Sequence, residues 1–334
     1  MKGLMRFGVV WQARNREFLR DRASLAWNVL LPLLIVFGFS FAYNGDGPAQ
    51  YRVGLHGATA TGADPLGDLP HILRVPVDDL GPAIVKVERH QLDLLLDVSG
   101  GRYWVNRDSP HGEILARALE AVSTPPPIRQ QVSGTAVRYA HWLLPGILSM
   151  NMMFSCLFGV GYVVVRYRKN GVLKRFKATP LTAFEFLTAQ LLSRLWLTLS
   201  ITSGVFLLAW VMLDVPVRGN PLALFSVFAC GAIALTCLGL IIAARLSSQE
   251  LADGLLNLIT WPMMFLSGVW FSTEGLHPWL QRAAELLPLT HVIEAARAVM
   301  FDGAGFLQIA PHLAILLGMA AVFLTVGAWS FRWD

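Results

Sequence analysis

Residues 166–192 read RYRKNGVLKRFKATPLTAFEFLTAQLL, and they join two apolar runs, 142–165 and 187–213, each long enough to cross a bilayer as a helix. Six Lys or Arg fall between Arg166 and Lys177, and no acid follows until Glu185. Basic charge clustered in a short loop marks the cytoplasmic side of a membrane. Within the loop, Pro180 pushes Thr179 out of the helical region, and Thr182 supplies an N-cap for Ala183 onward. The stretch predicts a short, stiff, basic elbow at 166–186, suited to docking a soluble partner rather than to chemistry.

The rest of the chain agrees. Its 334 residues are 54% hydrophobic and 15% charged, too apolar for an ordinary soluble domain. Six segments approach the ~20 apolar residues a helical span needs: 25–43, 142–165, 187–213, 221–244, 254–271 and 308–330. The net charge of +5 is uneven. Ahead of the first span, Lys2, Arg6, Arg14, Arg16, Arg20 and Arg22 face only Glu17 and Asp21. This second basic cluster puts the N-terminus on the side of the elbow, and six spans return Arg332 there. Residues 3–22 alternate apolar with basic at helical spacing, the pattern of an interfacial helix. The charge reports orientation and lipid contact, with no sign of nucleic acid. The first apolar run starts late and lacks a small-residue cleavage site, so it reads as a retained anchor.

Between Asn44 and Tyr139 the composition changes. Charge becomes dense and balanced, Gly and Pro recur, and apolar runs shorten to strand length. Tyr51–Leu55 and Leu92–Val98 read as strands, with Arg102–Asn106 paired to the second through a turn at Ser99-Gly100-Gly101. Asp78–His90 and His111–Val122 carry helical periodicity. Thr124-Pro125-Pro126-Pro127 predicts a stiff linker back to the second span. Farther on, 271–303 is amphipathic, broken at Pro278 and Pro288, and too polar for a clean span. Two short helices dipping into the outer leaflet fit it, because irregular backbone there needs protein or water around it. The expected fold is a polytopic α-helical membrane protein with six transmembrane helices. Its parts are an interfacial helix (1–24), a first span (25–43), an extracytoplasmic α/β domain (44–141) and a five-helix membrane core (142–334).

Gly171-x-Leu173-x-Arg175-x-x-Ala178-Thr179-Pro180-Leu181-x-x-x-Glu185-Phe186-Leu187 closely resembles the first cytoplasmic loop of the type 2 ABC exporter permeases. Leu266–Phe271 together with 271–297 resembles that family's region between the fifth and sixth spans. The two matches are well separated, and the resemblance covers 142 to 330. The position of the 44–141 domain is similar to an insertion after the first span in one branch of the family. Where relatives often carry an acid and a Thr around the loop glycine, Lys169-Asn170 precede Gly171 here and Val172 follows it.

The resemblance implies the permease subunit of an ATP-driven exporter in the bacterial inner membrane, with both termini cytoplasmic. It implies partners: two copies of a separate ABC ATPase subunit that bind ATP and Mg, a second copy of the permease, membrane lipids, and room for a periplasmic adaptor. Gly171, Lys174, Arg175, Lys177, Thr179, Pro180 and Glu185 would dock the ATPase. Phe271, Glu274, Pro288, Thr290 and Glu294 would form the outer gate. The expected cargo is amphipathic, drug-like or lipid-like, with glycan export by the same family as the alternative. A membrane sensor or scaffold with a ligand-binding outer domain is the rival from another class, and an intramembrane enzyme is a further one.

No chemistry of its own is legible in the chain. The dipeptide Gly-Lys never occurs, so the phosphate-cradling loop is absent and ATP hydrolysis falls to another polypeptide. Val98-Ser99-Gly100-Gly101-Arg102 looks like an ATPase signature peptide, but it follows a strand and reads as a β-turn. Cys156, Cys230 and Cys237 lie in apolar spans and match no zinc or disulfide pattern. His141, His277, His291 and His312 fall near the expected outer interface without ligand spacing, so no metal is expected and interfacial hydrogen bonding accounts for them. Arg194 lies two turns from the cytoplasmic end of its span and is expected to snorkel outward. Asn151 and Asn257 sit deeper and either line a path or bond between helices. With Met153, an adaptable apolar wall, they are the candidate translocation residues.

Overall fold

The computed structural model describes residues 8, 11–12, 15–16, 18–42, 51–57, 66, 72–88, 90–134, 139–178, 183–246, 248–271, 273 and 277–330. The chain divides into two units, Met1–Ser40 with Ala140–Asp334, and Phe41–Tyr139.

The smaller unit is a five-stranded sheet carrying one helix on each face. Its strands are β1 (Tyr51–His56), β2 (Ile72–Val77), β3 (Leu94–Asp97), β4 (Arg102–Asn106) and β5 (Ile128–Val132). Their spatial order is β2-β1-β3-β4-β5, with β3–β4 antiparallel and the other pairs parallel. Side chains alternate across a strand, so β3 and β4 serve two cores. Leu94, Leu96, Tyr103 and Val105 pack against Leu115, Ala116 and Leu119 of α3 (Pro110–Val122). Leu95 and Trp104 face the other way, onto Ala83 and Val87 of α2 (Leu80–Glu88). A strand buried on both faces reads as a continuous apolar run, which is why Leu94-Leu95-Leu96 announces itself. The Val98–Gly101 peptide is the β3–β4 turn.

Two strands escape sequence reading, and both are edges. β2 contains Pro76, which a central strand would not tolerate but an edge does. β5 is the mostly exposed Ile-Arg-Gln-Gln-Val, with no apolar face to read. Thr124–Pro127 therefore leads into a fifth strand rather than directly toward a span.

The larger unit is helical: α1 (Arg22–Ala42), α4 (Tyr139–Lys169), α5 (Val172–Lys177), α6 (Ala183–Leu213), α7 (Pro221–Arg245), α8 (Gln249–Leu266), α9 (Pro278–Glu285), α10 (Pro288–Asp302) and α11 (Phe306–Ser330). Among the described residues, four stretches are long and apolar enough to cross a membrane: His141–Lys169, Thr188–Leu213, Pro221–Ala244 and Phe306–Ser330. The other two expected spans are helical as α1, whose described side chains give the apolar stretch Leu25–Phe39, and α8, an 18-residue helix that carries Glu250 and Asp253 in its first half. α7 sits at the centre, packed on α6, α8, α10 and α11. Its buried Ala223, Ala232, Ala234, Ala243 and Ala244 let neighbouring backbones approach, as small residues do between membrane helices. Large apolar side chains such as Val211, Leu258, Leu307 and Trp329 point outward, a surface suited to hydrocarbon. Pro278 and Pro288 stand in the first turns of α9 and α10. They start helices, where a missing N–H costs nothing.

Candidate functional site

The basic elbow is built on a left-handed glycine. At the end of α4, the Asn170 N–H donates to Arg166 O at 3.0 Å and the Gly171 N–H to Arg168 O at 3.1 Å. Gly171 has φ +68°, a conformation only glycine adopts without penalty. The chain then turns into α5, whose Leu173 is fully buried among Val160, Val164 and Val165 of α4, Leu240 and Ala243 of α7, and Ala252 of α8. One buried leucine thus pins the elbow to three helices, while Lys174 and Arg175 are exposed.

A second fastening comes from Arg168. Its guanidinium donates to the carbonyls of Ala243 (2.9 Å), Ala244 (2.9 Å) and Leu246. These belong to the last turn of α7 and its C-cap, where carbonyls lack intrahelical donors and the helix dipole favours a cation. Lys169 Nζ adds a 3.3 Å bond to Gln249 Oε1 at the start of α8, which Ser248 caps. In the sequence Arg168 counts only as loop charge. Nothing local marks it as the cap of a helix some 75 residues on.

The remaining elbow residues are placed as follows. Lys177 lies in α5 and Glu185 in α6, whereas Thr179 and Pro180, with Thr182, lie outside the described residues.

The three expected path residues do not share a surface. Asn151 is buried, and its Nδ2 donates to Asn28 O of α1 at 3.0 Å. Met153 is fully buried. Asn257 is exposed and donates to Asp253 O of its own helix at 2.9 Å. Arg194 departs from expectation. Instead of reaching outward it is 8% exposed, and its Nη2 donates to Ser155 Oγ at 2.7 Å. The cause is a notch in α4: a Cβ on Gly159 would stand 2.0 Å from the Arg194 Cζ, so glycine there makes room for the guanidinium. Phe18 closes the notch, its ring centroid 5.3 Å from Cζ. Next to it an apolar groove of about 660 Å³ runs between α1 and α6. Phe18, Leu25, Val29, Leu197, Gly204 and Leu208 are among its lining residues.

Of the expected gate residues, Pro288 and Thr290 are buried and Phe271 is exposed, while Glu274 lies outside the described residues. Thr290 Oγ1 is bonded to Ala284 O (2.7 Å) and Ser267 Oγ (3.0 Å), which ties α10 to α9 and to the end of α8. Arg297, one turn beyond Glu294, lies 3.6 Å above the Trp142 ring and donates to Gly268 O at 2.8 Å. Glu294 itself stands in a group with His291 and His312, and their ligand-type atoms all lie within 4.8 Å of one another. The two histidines are 21 residues apart on different helices, so no local spacing could have announced the group.

With this geometry in view, the relatives are informative. Residues 102–301 match the family model described as ABC-2 type transporter. The match covers more than half of the chain, and the chain belongs to that family: it is a multi-pass helical membrane protein of the type 2 ABC permease class. It is 28% identical over 185 residues to the inner membrane transport permease YhhJ of Escherichia coli K12, covering 54% of this chain and 49% of that protein. It is 23% identical over 188 residues to the daunorubicin resistance permease protein DrrB1 of Streptomyces coeruleorubidus, covering 55% and 66%. It is 26% identical over 204 residues to the linearmycin resistance permease protein LnrN of Bacillus subtilis, covering 60% and 51%. The matched region thus spans about half to two thirds of these relatives.

Proposed function

We propose that this chain is the membrane subunit of an ATP-driven exporter, docking an ATPase through the 171–185 elbow. The observation that carries the reading is mechanical. Exposed Lys174 and Arg175 stand on a helix held by buried Leu173 and by the Arg168 clamp, so a push on the elbow is transmitted to α4, α7 and α8 together. Two ATPase copies, binding ATP and Mg, would act on two permease copies, each with six spans, cytoplasmic termini and the α/β domain outside. Swinging a two-state pathway from 1:99 to 99:1 takes about 5.5 kcal/mol of differential binding. ATP binding in the partner would supply it.

The cargo is read as amphipathic. The groove between α1 and α6 favours this over a glycan, since Asn15 and Ser200 are the polar residues in an otherwise apolar wall. Resistance to daunorubicin and linearmycin in the names of two relatives agrees with that class. Pro288, Thr290 and Glu294, with Phe271 and Glu274, would form the outward gate.

The test is affinity purification of the chain co-expressed with its chromosomal neighbours, with ATPase activity assayed in the eluate. A stoichiometric ATPase lost on Lys174→Glu with Arg175→Glu, at unchanged thermal stability, supports the reading. A chain that purifies without ATPase activity, or retains it in the charge-reversed variant, overturns it.

A further inference from the structure

We propose that His291, Glu294 and His312 form a binding site for a divalent transition-metal ion of the zinc class, linking α10 to α11. The site is independent of the exporter reading. His291 and Glu294 are three residues apart on α10, so they share one helix face, and His312 meets them from α11.

A backbone carbonyl fixes the tautomer of His291. Its Nε2 lies 2.7 Å from the carbonyl oxygen of Glu285. A carbonyl only accepts, so Nε2 carries the proton, and the neutral ring presents the Nδ1 lone pair on its other side. A backbone carbonyl holding the far N–H is the arrangement found behind metal-bound histidines. That Nδ1 lies 3.2 Å from the Nδ1 of His312. Two nitrogens each about 2.0–2.1 Å from a tetrahedral zinc stand about 3.3–3.4 Å apart, so the observed 3.2 Å needs to widen only by about 0.1–0.2 Å to admit a shared ion.

Donor chemistry narrows the ion. Two imidazoles and a carboxylate suit zinc, cobalt, nickel or copper, whereas calcium and magnesium favour all-oxygen shells. The neutral imidazoles leave a single negative charge from Glu294 against the divalent ion, and three protein ligands leave a fourth position for water. Without an ion, the same two rings can share one proton in an N–H···N bond. The test separates the two arrangements.

The full-length chain, purified in detergent and stripped with EDTA, is titrated with Co²⁺ while visible absorption and thermal stability are followed. One equivalent should bind with a ligand-field band and a raised Tm, and Zn²⁺ should displace it. His312→Ala and Glu294→Gln should each weaken binding roughly tenfold or more, whereas His277→Ala, outside the group, should leave it unchanged. His291→Ala also removes the bond to Glu285 and can perturb folding, so the other two variants carry the test. Absence of saturable micromolar binding, or binding untouched by both His312→Ala and Glu294→Gln, overturns the proposal.

Discussion

The side-chain amide of Asn151 donates a 3.0 Å hydrogen bond to the main-chain carbonyl of Asn28, the carbonyl to which residue 32 would donate in a regular helix. Residue 32 is proline and has no N–H to give. In a membrane such a carbonyl must be satisfied by a neighbouring helix or by water. Asn151 of α4 thus completes the ladder of α1, and proline and asparagine form one device although 119 positions separate them.

That pairing predicts a coupled pair of variants. Asn151→Ala should cost about 0.6–2 kcal/mol, the range of interhelical hydrogen bonds in membranes. In a Pro32→Ala background, where the helical N–H is restored, the same change should cost little. A double-mutant cycle on thermal unfolding in detergent reads the coupling. Equal costs in the two backgrounds would contradict the account.

Clamp and docking charge should separate in the elbow. Arg168→Ala removes charged donors from three carbonyls at the end of α7 and should lower stability by about 2–4 kcal/mol. Arg168→Lys should recover only part of this, because an ammonium does not reproduce the planar fork. Lys174→Glu and Arg175→Glu alter exposed side chains and should leave Tm unchanged while abolishing ATPase co-purification. Stability and partner binding that fall together in all four variants would mean the elbow is not a rigid platform.

Acid should loosen the β3–β4 hairpin. Burial alone would raise the Asp97 carboxyl, but hydrogen bonds from Ser99 Oγ (2.7 Å), the Gly100 N–H (2.9 Å) and Arg102 (3.3 Å) hold it below its ordinary value. A depressed folded-state pKa contributes stability that is present above the unfolded value, about 3.9, and is lost as pH falls through the folded one. Hydrogen exchange of residues 94–106 in the full chain should therefore accelerate below about pH 4. Asp97→Asn should flatten that acid dependence. Acid loosening of the same size in the Asn variant would place its origin elsewhere.

Filling the groove tests the cargo. Gly204 lies on α6, and a Cβ added there would meet no atom within 4 Å, so Gly204→Leu adds bulk without a first clash. Replacing an exposed helical glycine should gain up to about 0.8–1 kcal/mol of helix propensity. Export of an amphipathic dye should nevertheless fall, with ATPase activity in the complex retained. Unchanged dye export by a stable Gly204→Leu protein would remove the groove from the pathway.

Much of this molecule is legible in one dimension, because long apolar helices and doubly buried strands need no partner to declare themselves. Leu94-Leu95-Leu96 and the 142–165 run follow from side-chain polarity alone, whereas the left-handed turn at Gly171 emerges from the structure. Edge strands β2 and β5 do not declare themselves, since none of their residues is fully buried. What only the tertiary structure decided are the polar pairings across distance. Arg168 caps a helix it does not belong to, Arg194 turns inward because Gly159 leaves room, and Asn151 satisfies a carbonyl exposed by Pro32. His291 meets His312 across two helices. In a low-dielectric interior a polar group is held by whichever complementary group the packing brings within about 3 Å, and sequence spacing carries no record of that choice.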